Sequence, residues 1–208
     1  MLLNMNKVLI LDDRIERKRN HMSNNAILEL TNCVNQGFLT MITGEGIEKD
    51  KSFHYCSDYS LLAFHKSWLD SNMLLSDIVR YARKNEKILV IFSGGISQTL
   101  LLNDYKDLRV NSAIFYSDSL PIFIEKYAKN DVEQPLLELL YSKAWLIPIY
   151  MQYRQLVWRG VTEESEEYMN FELNYGMYLE QFKTPTSIEI MNKLEKSINN
   201  EMIKLNAL

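Results

Sequence analysis

The sequence predicts an α/β fold: a five-stranded, doubly wound parallel sheet followed by an all-helical extension. Three observations point there. Short, continuous aliphatic runs recur through the first half, and such runs suit strands covered on both faces. Segments with apolar residues at helical spacing separate them, and strands alternating with helices pair in parallel through crossovers. From about Asp131 the strand pattern stops and an aromatic-rich, aliphatic and then acidic stretch takes over. The expected units are residues 1–130 and 131–208.

The elements follow in order. KVLIL (Lys7–Leu11) is wholly apolar after its lysine and ends abruptly at Asp12-Asp13-Arg14, as a buried strand does at the rim of a sheet. AILELTNCVNQG reads as a helix closed by Gly37, with Ile27, Leu28, Leu30 and Val34 available for packing. FLTMIT (Phe38–Thr43) is the second strand, followed by Gly44, Gly46 and a charged loop. YSLLAFH (Tyr59–His65) is the third. WLDSNMLLSDIVRYARKN places Leu74, Ile78, Tyr81 and Ala82 on one helical face. KILVIFSGG (Lys87–Gly95) is the fourth strand, SQTLLLNDYKDL a helix, and SAIFYS (Ser112–Ser117) the fifth strand. Pro121 then opens IFIEKYAKN as a short helix. Near the C-terminus, Ile188, Met191, Leu194, Ile198 and Met202 repeat at helical spacing after Pro185, with Glu189 and Lys193 four apart.

Composition limits what such a chain does. Its 208 residues are 47% hydrophobic and 24% charged, a globular rather than a disordered balance. A chain of this length buries roughly 70% of its unfolded surface, enough for a real core. With 23 Lys+Arg against 27 Asp+Glu, the net charge of −4 argues against a nucleic-acid wrapper. Cys33 and Cys56 form no Cys-x-x-Cys pair and read as buried free thiols of a reducing compartment. The opening MLLNMNKVLILDD lacks a signal-peptide pattern, and no run of about 18 apolar residues occurs, so no membrane span is expected. A cytoplasmic protein is expected.

In a doubly wound sheet, function collects at the carboxyl ends of the strands. The candidates there are Asp12, Asp13, His65, Lys66, Ser93, Gly94, Gly95, Ser117 and Asp118. Asp12 and Asp13 are adjacent carboxylates that invite a cation, and hard oxygen ligands suit Mg2+; alternatively one caps the next helix and the other pairs with Arg14 or Arg17. His65 has the chemistry to accept a phosphoryl group, bind a metal or act as a base, or simply to close its strand through a hydrogen bond. His21 and His54 lie in polar segments and read as surface residues. SGGIS (Ser93–Ser97) either cradles an anion ahead of a helix or forms a capped tight turn. No Walker A, dinucleotide-type glycine fingerprint or nucleophile elbow occurs.

The order of elements over residues 6–130, with Asp12-Asp13 after the first strand, Ser93 after the fourth and Pro121 in FYSDSLPIF, resembles the receiver domain of bacterial two-component response regulators, a flavodoxin-like fold. The resemblance implies an acidic Mg2+-binding pair at Asp12 and Asp13 and a switch hydroxyl at Ser93. It also exposes two departures: His65 stands where receivers carry the phosphoaccepting aspartate, and Leu120 where they carry a lysine. Aspartyl phosphorylation needs a carboxylate nucleophile, a divalent metal and a cation. SGGIS is also similar to the phosphate loop of ATP pyrophosphatases, without its acidic residue.

The expected function is therefore that of a degenerate receiver-like module, a pseudo-receiver in signal transduction that works through protein–protein contacts rather than by catalysis. The alternative is a Mg2+-dependent enzyme or sensor that binds a phosphorylated ligand or nucleotide among Asp12, Asp13, His65, Lys66 and Ser93. A DNA-reading output domain normally has a basic face; residues 136–208 carry 7 Lys+Arg against 10 Asp+Glu, a net −3, so a nucleic-acid partner is not expected. The C-terminal aromatics, among them Tyr141, Trp145, Tyr150, Tyr153 and Trp158, serve either as a partner face or as the extension's own core. Self-association through the C-terminal helices is a further expectation.

Overall fold

The computed structural model describes residues 5–43, 53–72 and 75–183. The chain divides into two compact units, Met1–Ser142 and Lys143–Leu208.

The first unit is built on a six-stranded, mostly parallel sheet: β1 (Val8–Asp12), β2 (Leu39–Thr43), β3 (Leu61–His65), β4 (Ile88–Phe92), β5 (Leu100–Leu102) and β6 (Asp107–Val110), in the spatial order β2-β1-β3-β4-β6-β5. Among the described residues only the β5–β6 pair is antiparallel. Helices α1 (Asn24–Asn35), α2 (Lys66–Asn72), α3 (Leu75–Lys84), α4 (Ser112–Phe115), α5 (Leu120–Ala128) and α6 (Pro135–Tyr141) surround it. The strands alternate their side chains between two cores. Val8, Ile10, Ala63, Val90 and Phe92 pack with Leu30 of α1, Ile124 of α5 and Leu136 of α6. Leu9, Leu11, Leu62, Phe64 and Ile91 pack on the opposite face with Trp68 of α2 and with Ile78 and Ala82 of α3. Two-faced burial is why β1, β3 and β4 are continuous apolar runs.

Local chemistry sets the ends of the helices. The Ser23 side chain accepts a hydrogen bond from the Ala26 N–H to start α1, and Gly37 (φ +74°) stops it in the left-handed conformation that favours glycine. Glu86 takes the same role after α3 at φ 53°, with the Lys87 N–H donating back to the Ala82 carbonyl.

Two expectations fail between residues 97 and 117, and the described residues form a sheet of six strands rather than five. SQTLLLNDYKDL is not a helix: it supplies β5 and the start of β6, joined by Asn103, Asp104 and Tyr105, all at positive φ. SAIFYS is not a strand: the Asn111 side chain accepts from the Ala113 N–H and caps the four-residue α4. The fifth parallel strand is therefore β6, and the residues that follow it are Asn111 and Ser112. Leu120 lies at the start of α5 and is buried in the core. The helix expected from Trp68 to Asn85 is described as α2 and α3, on either side of residues 73–74, and Leu74 lies outside the described residues.

The second unit contains α7 (Leu146–Trp158) and α8 (Glu166–Lys183). Gly160 (φ +66°) ends α7, with the Val161 N–H donating to the Leu156 carbonyl, and Ser165 Oγ caps α8 through the Tyr168 N–H. The two helices meet through aromatic pairs, Tyr150 with Phe182 (centroids 5.6 Å apart) and Tyr153 with Phe171 (6.2 Å). These rings form the unit's own core, whereas Trp158 is exposed. The apolar repeat from Ile188 to Met202 lies outside the described residues. Among the described residues no helix is long and apolar enough to cross a membrane.

Candidate functional site

Asp12 is the last residue of β1, and four buried aliphatics anchor it at the rim. β1 pairs with β3, Leu11 lying beside Phe64, so the ends of the two strands bring Asp12, Asp13 and His65 together. A 3-10 turn, Ile15–Asn20, folds Arg17 back over the acids. The Asp12 carboxylate is 0% exposed. Its Oδ1 accepts from the Arg14 backbone N–H (2.9 Å) and from Arg17 Nη1, and its Oδ2 accepts from the Tyr116 hydroxyl (2.9 Å). Asp13 is partly exposed. Its Oδ1 accepts from the same Arg17 Nη1 (2.6 Å) and its Oδ2 from Nη2 (3.3 Å).

His65 Nδ1 lies 3.0 Å from Asp13 Oδ1 and 3.2 Å from the Ser67 backbone N. One nitrogen serves one of these at a time. With a proton it donates to Asp13; without one it accepts from the Ser67 N–H. The imidazole ring meets Phe92 edge-on at 5.3 Å, and Phe92 stacks on Phe115 at 4.2 Å and meets Tyr116 at 5.3 Å. An aromatic wall thus backs the polar cluster.

Burial and charge pull these groups apart. Burial raises the Asp12 carboxyl above its usual range, with the Arg14 N–H, Tyr116 and Arg17 countering only part of the effect. Burial acts the same way on Asp13, but hydrogen bonds and charge from Arg17 outweigh it and hold that carboxyl low. Burial, helped by Arg17, lowers His65 despite the two carboxylates. Burial and the Asp12 charge push the Tyr116 phenol far up, so it remains a donor.

One ligand atom from each of Asp12, Asp13 and His65 lies within 4.8 Å of the others, a carboxylate–imidazole set suited to a divalent cation. As arranged, however, the residues do not fit Mg2+. Every carboxylate oxygen already has a donor, and Arg17 Nη1 takes the position between the acids.

The remaining candidates stand apart from this chemistry. Lys66, next to His65, is exposed at the start of α2. Ser93 follows β4 at the same rim, but its Oγ accepts from the Gly95 N–H (3.3 Å) within its own turn. Asn111 Nδ2 donates to the Gly94 and Ile96 carbonyls (3.1 and 3.0 Å) and clamps that turn. β5 follows it rather than a helix, so the helix N-terminus expected behind an anion cradle is missing. Asp118 Oδ1 accepts from the Ser23 N–H at the start of α1. His21 and His54 are exposed.

Sequence reasoning reached Arg17 only as a partner for one acid, whereas it holds both. It missed Tyr116, which was assigned to a strand. The signal that would have found it is Asn111, a good helix cap just before SAIFY. No protein-family model and no curated protein matches the chain.

Proposed function

We propose that the chain is a receiver-like signalling module that has lost aspartyl phosphorylation and acts through protein–protein contacts. The observation that carries this reading is Arg17 bound to both Asp12 and Asp13 at the end of β1. A receiver needs a metal at that point; here a covalently attached cation neutralises the acids. Two further observations support the reading. An imidazole, itself against Asp13, ends β3 in the place of a carboxylate nucleophile. Asn111 and Ser112, rather than a lysine, follow the fifth parallel strand. The flavodoxin-like sheet order agrees with a receiver ancestry, although a fold alone does not fix function.

The test is incubation of the purified chain with acetyl phosphate and Mg2+, followed by intact-mass measurement with and without hydroxylamine. No added phosphoryl group is expected. A hydroxylamine-labile phosphoryl adduct overturns the reading.

A second reading, a Mg2+-dependent site for a phosphorylated ligand, draws on the close approach of the Asp12, Asp13 and His65 ligand atoms. It requires Arg17 to leave the acids. A nucleotide-induced rise in melting temperature that depends on Mg2+ and disappears in Asp13→Ala would favour it over the first.

A further inference from the structure

We draw no further inference here: the strongest candidate, the exposed apolar stripe of Met169, Leu173 and Met177 on the outer face of α8, carries none because nothing in the structure shows what covers it.

Discussion

Arg17 and Asp12 form an ion pair across a solvent boundary: the Asp12 side chain is 0% exposed and the Arg17 side chain 19%. A buried charge is tolerable only while it is paired. Breaking such a pair costs about 3–5 kcal/mol when both partners are buried. Here water reaches Arg17 and Asp12 can take up a proton, so Arg17→Met should cost about 2–4 kcal/mol. Urea denaturation measures this. With the guanidinium gone, Asp12, Asp13 and His65 offer free donor atoms, and Mn2+ or Mg2+ should recover part of the loss in the variant while leaving the wild type unmoved. A wild-type chain stabilised by Mg2+ as strongly as the variant would show that Arg17 does not hold the cation position.

Tyr116 holds the other oxygen of the same carboxylate from 104 residues away. Tyr116→Phe keeps the ring that packs on Phe92 and removes only the donor. A buried hydrogen bond to a charged group is worth about 1.5–3 kcal/mol, a neutral one about 1 kcal/mol. Tyr127→Phe supplies the neutral comparison, because its hydroxyl donates to Ser60 Oγ at 2.9 Å. Tyr116→Phe should therefore be the more destabilising of the two in parallel urea titrations. Equal losses would mean that Asp12 is not ionised in the folded chain at neutral pH.

The parts of the fold that were legible in the sequence are those where one physical effect dominates. LILD and LLAFH are strands buried on both faces, and nothing in them competes with that pattern. DLRV of β6 has only two aliphatics in four residues, because Asp107 is held by Arg83 (3.0 Å) rather than by apolar packing, so its burial left no hydrophobic run to read. LLL of β5 is an edge strand with Leu100 and Leu102 exposed, and its leucines favour helix in isolation. Asn103-Asp104, a turn signal, was the cue that outranks it. At the site, Asp12, Asp13 and His65 were legible because strand ends are predictable. The reach of Arg17 back over the acids depends on the 3-10 turn, which no periodicity announces.

The centre should leave a pH signature. Burial and Arg17 lower His65 below its ordinary 6.5. The unfolded chain then takes up the proton first, so the stability tied to neutral His65 is present above pH 6.5 and lost as the pH falls from there through the folded value. Asp12 runs the other way: its raised value means that its contribution is present below 3.8 and lost as the pH rises through the folded value. His65→Gln should flatten the fall in stability just below pH 6.5. Urea midpoints collected across pH decide it, and a profile unchanged by the variant would show that the imidazole titrates normally.

Both cysteines are buried, and burial pushes the Cys56 thiol up to about 12 and raises Cys33 as well. The thiolate is the reactive form. Neither residue should react with a thiol reagent at pH 8 until the chain unfolds, and the rate in rising urea should follow the unfolding curve. Rapid labelling of one thiol in the native protein would place it in a segment that opens locally.

Gly176 interrupts α8 with the least favourable helix residue other than proline. Gly176→Ala removes the cost of a glycine within α8, about 1 kcal/mol. Among the described residues the new Cβ meets Glu172 Cγ at 3.3 Å, the stem of an exposed side chain. Thermal or urea unfolding should therefore show a gain of about 0.5–1 kcal/mol. A loss of stability in Gly176→Ala would show that the Glu172 stem does not give way to the new methyl group.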